Sequence, residues 1–123
     1  MSEQEIKNLI NTWNDTLQTG SPDQVITCYS PDAILLPTLS NQVRHTPEEI
    51  KDYFVHFLAK KPNCQVEEHN VRIHGDIAIN SGVYAFSFGD GSEARARFTF
   101  VYKRIDDDWL IIEHHSSGMP EPV

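Results

Sequence analysis

The first half of the chain carries apolar residues at helical spacing, one every three or four positions, which is typical of helices with one buried face. In order, these faces are formed by Ile6, Leu9, Ile10, Trp13 and Leu17, then Val25, Ile26 and Tyr29, then Ile50, Tyr53, Phe54, Phe57 and Leu58. Each stretch starts with a capping box, in which Ser2, Ser21 or Thr46 precedes Glu or Gln by three residues and satisfies free N–H groups of the first turn. The pattern predicts three helices, with a short strand over 33–36 and a loop over 37–41 before the third.

The second half of the chain changes to the two-residue alternation of β-strands. It predicts strands over 65–74, 77–88 and 93–104 and a last strand that begins at residue 108. Two of these strands place aromatic residues on one face: Tyr84, Phe86 and Phe88, then Phe98, Phe100 and Tyr102. Helices followed by a meander of long strands predict an α+β fold, with the N-terminal helices packed on one face of a curved, mostly antiparallel sheet. The aromatic faces would point towards the helices, as core or as the wall of a pocket.

The last predicted strand runs through apolar residues into two histidines and two serines. Strict alternation gives it two faces, one with Trp109, Ile111, Glu113, His115 and Ser117 and the other with Leu110, Ile112, His114 and Ser116. Because an unpaired carboxylate is unfavourable to bury, the face with Glu113 is predicted to point outward. His114 and Ser116 would then point inward, and a β-bulge near the strand end would exchange the faces. Judged on His and Ser alone, a strand end with satisfied polar groups is favoured over a functional site.

Length and charge limit the classes of protein to consider. The 123 residues predict a single domain over 1–123, long enough for a hydrophobic core. A net charge of −8 argues against binding to nucleic acid or to an anionic membrane. The polar N-terminus lacks the apolar core of a signal peptide, and no apolar run is long enough to span a membrane. Cys28 and Cys64 are isolated, which predicts reduced thiols in a cytoplasmic protein.

Neither a metal nor an organic cofactor is predicted from the motifs. The six histidines show no HxH or HExxH spacing, and the adjacent His114 and His115 lie on opposite faces of a strand and cannot chelate together. A zinc site would require distant residues such as His56 or His69 to converge. The chain also lacks GxGxxG, P-loop and GxSxG motifs.

Three segments carry a resemblance to a known family. They are WLIIEHHSSGMP at 109–120, LLPTLSNQVR at 35–44 and DYF at 52–54. With the element order, they resemble the nuclear-transport-factor-2-like (SnoaL-like) cone. Within it they resemble the branch that contains the association domain of calcium/calmodulin-dependent protein kinase II and stand-alone bacterial relatives. Some of those relatives are carbonic anhydrases of the iota class, which includes members that work without a metal.

The resemblance implies a site for reversible hydration of carbon dioxide. It implies that the catalytic residues are Thr38, Tyr53, His114 and Ser116, with His114 as the base near pH 7. The substrate-binding residues that it implies are Phe86, Phe100, Tyr102 and Ser40. In the kinase association domain the positions that match Phe86, Phe100 and Ser116 are arginines. Their replacement here favours a small, weakly polar substrate such as carbon dioxide over a large anion.

Two other classes of function compete with this enzyme. One is a non-catalytic association or small-ligand-binding module of the same fold. In favour of association, Trp109 and Ile111 would lie on the uncovered sheet face, which predicts a homodimer through that face or a larger homo-oligomer. The other is an isomerase or cyclase, but no Asp or Glu stands at a pocket-facing strand position to abstract a proton.

Overall fold

A computed structural model describes residues 2–122, so Met1 and Val123, the two ends of the predicted domain, lie outside the described residues. Three helices precede most of a five-stranded sheet. The elements are α1 (Glu3–Gln18), α2 (Pro22–Ile26), β1 (Tyr29–Leu36), α3 (Pro47–Leu58), β2 (Asn63–His74), β3 (Ile77–Ser87), β4 (Glu93–Ile105) and β5 (Asp108–Gly118). The predicted α+β class, with helices on a curved sheet, is confirmed.

The Ser or Thr side of the capping box forms at two of the three predicted helix starts. The Ser2 hydroxyl accepts the N–H of Glu5 at 3.2 Å at the start of α1. The Thr46 hydroxyl accepts the N–H of Glu49 at 3.2 Å at the start of α3. These bonds satisfy N–H groups that the first helical turn leaves without partners. Both helices therefore begin where the sequence predicts.

The second helix differs from its prediction in two ways. Ser21 makes no side-chain capping bond among the described residues, because the N–H of Gln24 bonds to the backbone oxygen of Ser21 at 3.1 Å. The helix also ends at Ile26, so Tyr29 is not on it but begins β1. The reason is pairing with the sheet, since Tyr29 lies beside Ile111 of β5. The first strand is therefore longer than the predicted 33–36.

The strands follow the order β1-β5-β4-β3-β2. β1 is parallel to β5, and the other neighbours are antiparallel, as expected for hairpins joined by short turns. This order places the short first strand beside the last one. As a result, the loop after β1 lies at the end of β5 that carries the histidines and serines, because Leu35 pairs with His114 and Leu36 with His115.

A β-bulge in β5 corrects the predicted faces of that strand. Val101 pairs with Glu113, but Tyr102 pairs with Ile111, so Ile112 is the extra residue. Side chains on the two sides of a bulge lose strict alternation. Ile111 is therefore buried at 2% exposure and Trp109 packs against the core, not on the outer face as predicted. Beyond the bulge the prediction is right, with His114 buried and His115 exposed.

The core lies between the inner sheet face and the helices. Its fully buried large side chains include Trp13 of α1, Phe54 of α3 and Tyr84, Phe100 and Tyr102 of the sheet. The aromatic residues of β3 and β4 thus face the helices, as the alternation predicts. Within residues 2–122, no helix is long and apolar enough to cross a membrane.

Candidate functional site

A cavity of about 60 Å³ opens between the helices, the loop after β1 and the inner face of the sheet. Apolar and aromatic side chains form most of its wall: Trp13, Leu35, Pro37, Leu39, Phe54, Phe57, Phe86, Phe88, Ala94 and Ala96. The polar side chains that line it are Thr38, Tyr53, Tyr84, Arg95, His114 and Ser116. Pockets for drug-sized ligands measure roughly 300–1,000 Å³, whereas one water needs roughly 10–15 Å³ of cavity. The cavity therefore suits a molecule of a few heavy atoms.

Hydroxyl groups from three separate elements meet at one end of this cavity. Thr38, in the loop after β1, donates to the Ser116 hydroxyl of β5 at 2.7 Å. The Tyr84 hydroxyl of β3 donates to the same oxygen at 2.7 Å. Ser116 and Thr38 both keep part of their surface exposed. An otherwise apolar cavity thus has one polar end, built from residues far apart in sequence.

His114 lies directly behind this polar end. Its Nε2 is 3.2 Å from the Tyr84 hydroxyl, and its Nδ1 is 2.9 Å from the Tyr29 hydroxyl. The Tyr29 hydroxyl also accepts the indole N–H of Trp13 at 3.1 Å. Both nitrogens of the imidazole are therefore occupied by tyrosine hydroxyls. A continuous buried chain of hydrogen bonds leads from Trp13 to the cavity.

Burial keeps the His114 imidazole uncharged. The residue is 3% exposed, and its ring stacks on Phe100 with 4.0 Å between centroids. Desolvation, with a smaller repulsion from His115, lowers the pKa of His114 to about 3. At neutral pH the ring carries a single N–H, because imidazolium does not form in these surroundings.

Tyr53 of α3 also lines the cavity. Burial raises its pKa to about 12, opposed in part by a backbone hydrogen bond from Leu39 and the charge of Arg44. The phenol therefore stays protonated at neutral pH. The Arg44 guanidinium lies 5.6 Å from the centre of the Tyr53 ring, within the range of a cation–π interaction.

Arg44 ties the loop after β1 to α3. Its guanidinium donates to the Asp52 carboxylate at 2.9 Å, to the backbone oxygen of Glu49 at 3.0 Å and to the Ser40 hydroxyl at 3.3 Å. The backbone of Arg44 also pairs with Leu35 through two bonds of 2.9 Å. These contacts fix the loop that carries Thr38 against the helix that carries Tyr53.

Five of the predicted site residues line the cavity: Thr38, Tyr53, Phe86, His114 and Ser116. Three others do not. Phe100 is fully buried and stacks on His114 from behind. Ser40 points instead to Arg44, whose guanidinium bonds to it. Tyr102 lies two residues beyond Phe100 on the inner face, deep in the core, so it cannot contact a ligand in this cavity.

The hydrogen-bonding roles of Trp13, Tyr29 and Tyr84 were not predicted from the sequence. Trp13 and Tyr29 follow a helical apolar spacing, and Tyr84 follows a strand alternation, so each reads as a core residue. The available signal was chemical, since a buried tyrosine hydroxyl or indole N–H needs a hydrogen-bond partner. Their partners come from other elements, and the sequence does not show which ones.

Metal ligands do not gather in the described part of the chain. Within residues 2–122, no three His, Cys, Asp or Glu side chains lie close enough together to hold a metal ion. His56 bonds through Nδ1 to the backbone oxygen of Asp52, and His69 bonds through Nδ1 to Asn80, each at 2.9 Å. The two histidines therefore do not converge with His114.

Helices on a curved sheet, with a small cavity between them, define a protein of the nuclear-transport-factor-2-like class. Residues 2–120 match the family described as the calcium/calmodulin-dependent protein kinase II association domain. The chain belongs to this family. No curated protein matches the chain significantly.

Solved structures agree with this membership. A protein from Xanthomonas campestris, assigned to the same association domain, is 46% identical, with a TM-score of 0.95 over 99% of this chain and 91% of that one. A nuclear-transport-factor-2-like protein of unknown function from Pseudomonas putida is 19% identical, with a TM-score of 0.80 over 94% of this chain and 84% of that one. A superfamily member from Salmonella enterica is also 19% identical, with a TM-score of 0.80 over 98% and 92%. The last two similarities show the fold alone.

Proposed function

We propose that this chain is a carbonic anhydrase of the iota type, which reversibly hydrates carbon dioxide to bicarbonate without a metal. The observation that carries the proposal is a group of three hydroxyls at one end of an apolar cavity, where those of Thr38 and Tyr84 each lie 2.7 Å from that of Ser116. Carbon dioxide carries no net charge and suits an apolar wall. Bicarbonate carries its charge on oxygen, which suits hydroxyl donors.

The dimensions of the cavity support a substrate of this size. About 60 Å³ accommodates carbon dioxide together with a water, but not a steroid or a nucleotide. Its mouth includes the exposed Arg95, whose guanidinium pairs with the Glu67 carboxylate at 2.7 Å. Substrate and product can thus exchange with solvent on the side where Arg95 and Leu39 lie.

The reaction forms one C–O bond and releases one proton. The oxygen of a water attacks the carbon of carbon dioxide, and one C=O electron pair moves onto its oxygen. The proton of the water passes to a solvent base at the cavity mouth. Hydroxyl donors stabilise the negative charge that develops, and loss of one such donor typically lowers a rate by roughly 10²–10³-fold.

The surroundings of His114 favour a different role from the one that the sequence predicts. The family resemblance implies that His114 is the base, but a ring with a pKa of about 3 and both nitrogens occupied is a poor proton acceptor at pH 7. We propose instead that His114 holds the Tyr84 hydroxyl in position through a hydrogen bond. Tyr84 in turn bonds to Ser116. Tyr53 remains protonated and acts as a further donor to substrate oxygen.

The test is a carbon dioxide hydration assay on the purified chain, with and without a chelator. Ser116→Ala removes a cavity hydroxyl and should lower kcat/KM by roughly 10²–10³-fold. Ser117→Ala is the matched control, because it removes the neighbouring hydroxyl on the outer face of the same strand. We expect wild-type turnover from that control, and turnover that survives chelation.

Two results would overturn the proposal. One is a wild-type chain that does not accelerate hydration. The other is equal activity in Ser116→Ala and Ser117→Ala. Activity that depends on a stoichiometric metal would contradict the metal-free part of the proposal. The cytoplasmic location is part of the same proposal, and it rests on the two free cysteines, Cys28 and Cys64.

The family itself favours a second candidate, a non-catalytic association module. An association domain holds chains together, and the outer face of the sheet carries apolar side chains that the helices do not cover, among them Ile79 and Val101. This candidate predicts self-association with no turnover. It becomes the better description if the hydration assay fails.

A further inference from the structure

The hydrogen bonds behind the cavity form one continuous hydrogen-bond chain. The group at its buried end decides in which direction the hydrogens are donated. The indole nitrogen of Trp13 can only donate, so the Tyr29 hydroxyl, 3.1 Å away, is the acceptor. The remaining partner of that hydroxyl is Nδ1 of His114 at 2.9 Å. The hydrogen of Tyr29 therefore goes to Nδ1, which must be the unprotonated nitrogen of the ring.

The direction of donation continues from the imidazole to the cavity. An uncharged histidine has one ring hydrogen, so it lies on Nε2 and is donated to the Tyr84 hydroxyl at 3.2 Å. Tyr84 then directs its own hydrogen to the Ser116 hydroxyl at 2.7 Å. A last bond of 2.7 Å joins Ser116 to Thr38.

The number of hydrogens in these bonds shows whether the cavity end of the hydrogen-bond chain is a donor or an acceptor. Six groups contribute one hydrogen each, namely the Trp13 indole, the His114 ring and the hydroxyls of Tyr29, Tyr84, Ser116 and Thr38, and they form five bonds. One hydrogen is therefore left without an acceptor among the described residues. It belongs to the pair of Ser116 and Thr38, whichever of the two donates to the other. Both of these residues line the cavity.

We propose that Trp13 and Tyr29 are positioning residues that hold His114 as the Nε2–H tautomer and so make the polar end of the cavity a hydrogen-bond donor. Such an end binds a ligand oxygen with free lone pairs, as in a carboxylate or bicarbonate, and disfavours a ligand that presents N–H groups. The choice of bicarbonate as the ligand rests on the proposed function. The direction of the hydrogen-bond chain does not depend on the proposed function.

The opposite direction is disfavoured by the same contacts. If Nδ1 carried the hydrogen, the Tyr29 hydroxyl would accept from both His114 and Trp13, and its own hydrogen would have no acceptor within residues 2–122. Tyr29 is 7% exposed, so water cannot readily replace that partner. A buried donor without an acceptor is unfavourable, and this penalty maintains the direction. The lowered pKa of His114 agrees with a ring that does not take a second hydrogen.

Tyr102 provides a matched control. Its ring is 2% exposed and stacks on Phe100, which in turn stacks on His114. Its hydroxyl has no hydrogen-bond partner among the described residues. Tyr102→Phe therefore removes a buried phenol oxygen but no bond of the hydrogen-bond chain. Tyr29→Phe removes the hydroxyl that joins Trp13 to His114.

The first experiment identifies the protonated nitrogen of His114. The full chain is labelled with 15N-histidine, and long-range proton–nitrogen spectra at neutral pH distinguish Nε2–H from Nδ1–H. We expect Nε2–H in the wild type and in Tyr102→Phe. In Tyr29→Phe the donor to Nδ1 is absent, so we expect a mixture of tautomers. A wild-type spectrum of Nδ1–H would overturn the inference, and this reading holds even if Tyr29→Phe does not fold.

The second experiment measures binding of 13C-labelled bicarbonate at constant ionic strength. Loss of one hydrogen bond from the hydrogen-bond chain corresponds to roughly a 2- to 10-fold change in affinity. Tyr29→Phe should therefore bind bicarbonate more weakly by that factor. Tyr102→Phe should bind as the wild type does. Unchanged affinity in a folded Tyr29→Phe would refute the positioning role. If His114 is the Nε2–H tautomer but the protein does not hydrate carbon dioxide, the proposed function is refuted and the direction of the hydrogen-bond chain is still confirmed.

Discussion

Burial decides what each polar side chain of the site can do. Desolvation raises the pKa of Tyr53 to about 12 and lowers that of His114 to about 3, so both groups are uncharged over the neutral range. These two groups therefore offer oriented dipoles and carry no charge. Such dipoles stabilise charge well in a water-poor cavity, because they do not have to reorient when the charge appears.

The burial of His114 predicts a pH dependence of stability. In the unfolded chain the ring binds a proton as the pH falls through about 6.5, whereas in the native chain it does so only near 3. The free energy of unfolding should therefore decrease as the pH falls from 6.5 towards 3, by at most about 1.4 kcal/mol per pH unit from this residue. Above 6.5 this contribution to stability is fully present.

Urea denaturation between pH 4.5 and 7.5 measures this effect. His114→Gln removes the titrating ring and should show a shallower dependence on pH than the wild type. His115→Gln, which changes the exposed neighbour on the outer face, should keep the wild-type dependence. Equal slopes in all three proteins would contradict the assignment.

The register of the strands is irregular in β1, β2 and β5, and the irregularities in β2 and β5 are bulges of one residue. The bulge in β5 at Ile112 brings Trp109 and Ile111 to the same face as His114. The bulge in β2 lies between Val66 and Glu68, opposite β3. An extra residue on one strand bends it and increases its twist, which closes the sheet around the helices.

Gly82 of β3 is required by the bulge in β2. A Cβ built at this position would lie 1.9 Å from the backbone oxygen of Glu68, so the strands cannot keep their spacing around a larger residue. We expect Gly82→Ala to lower the free energy of unfolding by at least roughly 1–3 kcal/mol, the usual effect of overpacking.

Gly118→Ala is the control for this substitution. A Cβ at Gly118, also in the sheet, would meet nothing within 4 Å, so the change should stay within about 0.5 kcal/mol. Chemical denaturation of both variants gives the comparison. Equal stability of the two would mean that β2 and β3 separate more easily than their geometry indicates.

The whole molecule presents an outer sheet face that the helices leave uncovered. The sequence predicts Trp109 and Ile111 there, but the bulge in β5 turns both inward, where Ile111 is buried and Trp109 packs against the core. The apolar residues that do lie on this face include Ile79 and Val101, which are paired neighbours on β3 and β4. With membership of an association-domain family, this face is where we expect a second copy to bind.

Val101→Glu tests self-association through that face. Placing a carboxylate beside Glu113, the β5 partner of Val101, should shift the chain to a smaller species by light scattering. Val55→Glu is the matched control, because Val55 is 50% exposed on α3, away from the sheet. Wild-type mass in a folded Val101→Glu, or the same loss of mass in both variants, would refute this interface.

The sequence alone was sufficient for the order and type of most elements. Capping at Ser2 and Thr46 and the helical spacing between such signals are local, so they can be predicted from neighbouring residues. Tyr29 was assigned to the wrong element because its helical spacing was weaker than its pairing with β5. Strand pairing joins distant parts of the chain, and spacing within one segment does not reveal it.

The inward direction of His114 was also determined by the sequence, since it follows from alternation over the few residues beyond the bulge. The bulge itself, the approach of Glu68 to Gly82 and the hydrogen bonds from Trp13 through Tyr29 to His114 were decided only by the tertiary structure. The physical reason is that a side chain's spacing reports which face it lies on. The partner of a buried hydroxyl or indole depends instead on which elements the fold brings together.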